Sequence, residues 1–185
     1  MLRSSVTPSR LEAMVEVRLR AVRVDLQSNT PVLLLQEPEG LGRTLPIFIG
    51  APEATAIAFA LQGMATPRPM THDLITNLLE ALGSEVLRVV VTELRDGTYY
   101  AEIVLRQGGV EKAVSSRPSD AVAVAVRTGA PLFVADELMD VEGIMLAVDD
   151  DESEGSGEAA DGNPEEIVGE FRSFLDSINP EDFSS

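Results

Sequence analysis

The chain has 185 residues, 44% of them hydrophobic, with no cysteine, no tryptophan and a net charge of -17. That length holds one domain with a full core plus an appendage, and the absence of cysteine excludes disulfides, thiolate metal sites and cysteine nucleophiles together. The charge is uneven: residues 149–185 carry 13 acidic residues and one base, which leaves 18 acidic and 13 basic residues elsewhere and no electrostatic ground for non-specific nucleic-acid binding.

Residues 1–13 lack the apolar stretch of a signal peptide, and no run of about 18 apolar residues occurs, so a cytoplasmic protein without a membrane span is expected. Met14 opens the first patterned segment, and residues 1–13 read as a disordered N-terminal extension. MVEVRLRAVRVDL alternates through Val15, Val17 and Leu19, then shifts phase to Val22, Val24 and Leu26. That shift predicts one long strand with a bulge near Ala21. After the turn SNTP, PVLLLQE and TLPIFIG give a second and third strand, an opening β-meander.

From Pro52 the apolar residues fall at helical spacing, which predicts a helix to about Gly63 whose small residues allow close packing. Thr71 reads as the N-cap of a second helix, with Asp73 in its first turn and Gly83 as its stop. Leu74, Ile75, Leu78, Leu79 and Leu82 form its apolar stripe. EVLRVVVTEL and TYYAEIVLRQ flank Asp96-Gly97, the pair a type I′ hairpin turn favours because both positions need positive φ. Gly108-Gly109 turns into VEKAVSS, and Pro118 opens a third helix that stops at Gly129. PLFVA is a short strand and ADELMDVEG a brief helix.

Residues 14–148 are therefore expected to form an α+β domain, a mixed or antiparallel sheet with helices packed on it. The acidic, Gly- and Ser-rich stretch 149–163 has too little apolar surface to bury and reads as a flexible linker. Beyond it, Asn163 and Glu166 make a capping-box pattern ahead of Ile167, Val168, Phe171, Phe174, Leu175 and Ile178. Residues 164–185 thus read as a C-terminal amphipathic helix and tail that need a partner surface.

The chain's single histidine, His72, stands between Thr71 and Asp73 at a helix start, after Arg68, in PRPMTHDL. A helix N-terminus presents unpaired N–H groups suited to phosphate or carboxylate, and Arg68 offers a second anion contact. The same residues also fit structural roles, with Thr71 as cap, Asp73 as dipole partner and Arg68 in an ion pair. A metal held here would be a hard cation on carboxylates, Mg²⁺ or Mn²⁺ before Zn²⁺, because one histidine cannot supply a histidine-rich site.

SSRPSDA repeats these elements in Arg117, Pro118, Ser119 and Asp120, which points to a duplicated unit with two related helix starts. Ser119 reads as a cap, since the spacing places no base beside it. Glu53, in IGAPEA, is a third acid at a helix start. Glu53, Asp73 and Asp120 together would supply the carboxylate cluster of a metal-assisted phosphodiesterase.

LPIFIGAPEATAIA, PRPMTHDL, DGTYYAEIVL and RPSDAVAVAVRTGAPLFV, in that order, resemble the bifunctional nuclease domain family over about residues 14–147. FRSFLDSINPEDF looks like the C-terminal helix of many bacterial members. The resemblance implies an α+β fold with internal duplication, self-association into a homo-oligomer, and nuclease activity on DNA and RNA. Glu53, Arg68, Thr71, His72, Asp73, Arg117, Ser119 and Asp120 match its motifs, and Ser115 stands where members often carry Asp.

The expectation is a metal-assisted nuclease. Asp73, Asp120 and Glu53 hold Mg²⁺ or Mn²⁺; Arg68 and Arg117, with Thr71 and Ser119, grip phosphate; His72 moves protons. The alternative is a non-catalytic regulatory or small-anion-binding module whose C-terminal helix recruits a protein partner. A third reading makes the acidic tail a competitor of nucleic acid for the basic groups.

Overall fold

Alternation in the N-terminal third becomes three antiparallel strands, β1 (Met14–Asp25), β2 (Thr30–Gln36) and β3 (Thr44–Phe48), in a computed structural model that describes residues 14–145 apart from 41 and 65. The N-terminal extension, the acidic linker and the C-terminal helix expected from the sequence lie outside the described residues. β1 is bulged between Leu19 and Ala21, as the phase shift requires, and Val17 and Val22 on either side of the bulge both reach the core. Leu26, which the pattern places in the strand, lies past its end and is exposed.

Two helices follow, α1 (Ala51–Leu61) and α2 (Thr71–Ala81). A second meander comes next, β4 (Ser84–Arg95), β5 (Thr98–Gln107) and β6 (Val110–Ser116). The chain then forms α3 (Pro118–Thr128), β7 (Leu132–Ala135) and α4 (Asp136–Glu142). The β4–β5 hairpin turns on Asp96 and Gly97 with φ of 51° and 74°, the doubly positive geometry of a type I′ turn.

All seven strands join one mixed sheet in the order β3-β2-β1-β7-β4-β5-β6, with β7 antiparallel to β1 and parallel to β4. Two three-stranded meanders thus flank β7, and each runs into a helix that has proline in its first two positions and an acid as its third residue. These are Pro52 and Glu53 in α1, and Pro118 and Asp120 in α3. A meander followed by a helix thus occurs twice, with helix starts GAPE and RPSD. The short likeness of RPMTHD to RPSD, which paired α2 with α3, does not follow the topology.

Sheet faces segregate by strand alternation. In β2, Leu33 and Leu35 enter the main core, whereas Val32 and Leu34 join Ala21 in a small cluster on the other face. Full burial of each such leucine stabilises the fold by about 1.5–3 kcal/mol. Helix α3 lies at the centre, with residues 121–125 all buried and packing against α1, α2, β4 and β5. Alanines at 54, 56 and 58 are buried and let α1 approach α3 closely.

Helix α2 departs from its expected packing. His72 is its one buried residue, and Ile75 packs at the margin of the core. Leu74, Leu78 and Leu82 recur every fourth residue on a different face and are 51%, 53% and 65% exposed. The apolar stripe read as one face is therefore two. Elsewhere, buried Glu37 pairs with Arg43 at 2.6 Å, and Arg43 also reaches Asp140, tying the β2–β3 connection to α4. Among the described residues no helix is long and apolar enough to cross a membrane.

Candidate active site

The first turns of α1, α2 and α3 converge, and each delivers one ionisable side chain: Glu53, His72 and Asp120. Asp120 Oδ1 lies 3.1 Å from His72 Nε2. Arg117, the residue before α3, turns back over that first turn and donates from Nε to Asp120 Oδ2 at 2.7 Å and from Nη2 to Asp120 Oδ1 at 3.0 Å. The same Nη2 is 2.9 Å from Glu53 Oε1, so one guanidinium nitrogen bridges two carboxylates from two helices. Gly50 makes room for this arrangement, because a Cβ there would overlap the Glu53 carboxylate.

Burial pushes the Asp120 carboxyl up, but the hydrogen bonds from Arg117 and His72 outweigh it and hold the group below its ordinary value. Asp120 is therefore ionised at neutral pH. An ionised carboxylate on Nε2 favours the imidazole tautomer protonated there and leaves Nδ1 as the acceptor. Nδ1 has no hydrogen-bond partner among the described residues and is not sealed from solvent. Pairing with Asp120, and then with Glu53, raises the already high pKa of Arg117. One guanidinium thus serves two carboxylates.

Asp73 does not join this cluster. Its Oδ1 accepts from Arg127 Nε at 2.5 Å and its Oδ2 from the Met70 N–H at 2.9 Å, and these bonds, Arg127 foremost, hold its carboxyl below the ordinary value. Arg127 also donates to Ala123 O at 2.9 Å and Ala56 O at 3.0 Å, so one buried guanidinium ties α1, α2 and α3 together. Sequence reading missed Arg127. Its signal was an arginine in the last turn of a helix otherwise built of alanine and valine, where cations meet free carbonyls.

The remaining candidates divide. Thr71 is not the cap of α2 but its first helical residue, and it is exposed; the N-cap is Met70, whose N–H is taken by the Asp73 carboxylate. Arg68 is exposed, and its side chain makes no ion pair or hydrogen bond among the described residues. Ser119 is buried at the second position of α3, and its hydroxyl makes no hydrogen bond there. Ser115 lies exposed on β6, paired across the ladder with Glu102.

The carboxylates foreseen for Mg²⁺ or Mn²⁺ do not assemble as one ligand set. Asp73 is taken by Arg127, and Glu53 and Asp120 share Arg117, a cation standing between them. Among the described residues no three His, Asp or Glu side chains are placed to share an ion. Beside the network opens a cleft of about 300 Å³, lined by Phe48 and Gly50 at and just past the end of β3, by Thr98 and Tyr99 of the hairpin, and by Arg117 and Ser119. Arg117 belongs to both the network and the cleft.

A model of the bifunctional nuclease domain matches residues 33–147, which include all eight candidate residues. An uncharacterized protein of Mycobacterium tuberculosis is 42% identical over 172 residues, 93% of this chain and 99% of that relative. Bifunctional nuclease 1 and Bifunctional nuclease 2 of Arabidopsis thaliana are each 29% identical, over 119 and 133 residues. Those matches span 63% and 70% of this chain but only 37% and 40% of the longer plant proteins.

Proposed function

Because the chain belongs to the bifunctional nuclease domain family, we propose that it hydrolyses phosphodiester bonds of DNA or RNA where α1, α2 and α3 meet. The observation that carries this reading is the 3.1 Å contact between His72 Nε2 and Asp120 Oδ1. It supports His72 as a base: Asp120 holds the tautomer and steadies the imidazolium, while Nδ1 takes a proton from the attacking water, and the departing oxygen is protonated as the P–O bond breaks. General acid–base catalysis of this kind contributes about 10²–10⁴-fold.

Arg117, with a side chain 65% exposed, grips the phosphate by turning away from Glu53. The start of α3 has no side-chain cap, so the N–H groups of Ser119 and Asp120 are open to the same anion. Arg68, whose side chain has no partner among the described residues, supplies a second cation. No step is routed through Mg²⁺ or Mn²⁺, because the carboxylates that would hold the ion are divided between Arg117 and Arg127.

The engagement of both Glu53 and Asp120 by Arg117 favours a second reading, a non-catalytic module that binds a small anion at the same helix starts. Self-association is supported by the exposed leucines of α2, and a protein partner for residues 164–178 by their apolar stripe. The test of function incubates the purified chain with single-stranded DNA and RNA in Mg²⁺, Mn²⁺ or EDTA, beside His72→Ala and Asp120→Asn. Cleavage is expected to fall in both variants. Cleavage undiminished in both ends the site assignment, and no cleavage by any form leaves the binding module.

A further inference from the structure

The cleft beside the network carries aromatic surface that phosphate chemistry does not use. Phe48 is the last residue of β3, where Leu45 and Ile47 point into the core and Phe48 points out, 61% exposed. It belongs to neither apolar core cluster. Tyr99, from β5, packs its ring against the main core and lines the same cleft. The two strands belong to opposite halves of the sheet, so the fold and not chain proximity sets these rings on one cavity.

We infer that this cleft is a nucleobase subsite, in which an unpaired base stacks on Phe48 beside Tyr99 while its phosphate lies on Arg117. The inference rests on the nuclease reading of the adjoining network and adds to it the part of the substrate that is held. A volume of about 300 Å³ is at the small end of ligand clefts, room for one planar base. Side chains with hydrogen-bonding capacity are few there, Thr98, Ser119 and the Tyr99 hydroxyl beside the arginine. Stacking on an aromatic face tolerates every base, so the subsite selects for an exposed base and not for a sequence. Continuity with Arg117 favours this occupant, because a base and its own phosphate use an aromatic wall and a guanidinium side by side.

The experiment compares binding of two single-stranded oligonucleotides of equal length, one carrying 2-aminopurine among ordinary bases and one abasic throughout, with cleavage followed in parallel. The full chain is expected to bind the base-containing strand about tenfold more tightly and to quench 2-aminopurine. Phe48→Ala is expected to erase both effects and to bind the abasic strand as the parent does. Phe48→Trp is expected to keep them. Equal binding of the two strands by the parent, with cleavage intact, overturns the subsite and leaves the nuclease reading standing. Neither binding nor cleavage of either strand overturns both. A change in the mass of Phe48→Ala by light scattering, with base preference unchanged, makes Phe48 a contact between copies and also overturns the subsite.

Discussion

Arg127 holds Asp73 at 2.5 Å while donating to the carbonyls of Ala56 and Ala123, and this fixes the α2 start that sets His72 against Asp120. His72 and Asp73 are adjacent in the chain but serve different partners: one faces the candidate chemistry, the other the structural clamp.

Arg127→Ala should therefore destabilise the fold and loosen the site at once. Breaking a buried pair costs about 3–5 kcal/mol, and the partial exposure of Asp73 reduces that, so a loss of about 2–4 kcal/mol is expected in urea unfolding. Arg127→Lys should recover little, because an ammonium lacks the planar fork that serves three acceptors. A loss below about 0.5 kcal/mol, the usual range of neutral surface changes, would mean that apolar packing alone holds α2.

The same pair sets a pH dependence. Arg127, followed by the Met70 N–H, lowers the Asp73 carboxyl below its ordinary 3.8 in the folded state. Its stabilisation is then fully present above that value and is lost as pH falls through the lower folded value. Chemical unfolding of the parent and of Asp73→Asn should differ most near neutral pH and converge in acid. A difference that grows on acidification would reverse the sign and refute the pairing.

Asp120→Asn removes the carboxylate that selects the His72 tautomer. Because the chain has a single histidine, nitrogen NMR reads this directly: the parent should show the proton on Nε2, and the variant a mixture. Cleavage should drop about 10²–10⁴-fold. An unchanged tautomer with unchanged cleavage would remove Asp120 from the site.

Arg117→Ala frees Glu53 and Asp120 together. Electron paramagnetic resonance titration should find Mn²⁺ bound more tightly by this variant than by the parent, since the guanidinium and the ion compete for the same oxygens. Equal binding would show that these carboxylates are not where the ion goes.

Leu78 sits mid-way along the exposed apolar face of α2. If copies associate through that face, Leu78→Glu should lower the mass seen by light scattering, because it buries a charge at the contact. An unchanged mass would place any association elsewhere.

Much of this was legible in the sequence, and the legible part is local. Alternation located the strands, a phase shift located the bulge of β1, and Asp96-Gly97 specified the β4–β5 turn, where both positions take positive φ. Proline and glycine bounded α1 and α3. Short motifs also picked out Glu53, His72, Arg117 and Asp120, since an acid in the first turn of a helix is a local electrostatic preference. The tertiary structure alone decided the pairing. His72 meets Asp120 across 48 positions and Asp73 meets Arg127 across 54, and no pattern within a few residues says which carboxylate finds which cation. That choice waits on β7 entering the sheet between β1 and β4, which brings the two meanders and their helices onto one core. It also left Leu74, Leu78 and Leu82 on an open face, because burial follows from what packs against a helix and not from the stripe it carries.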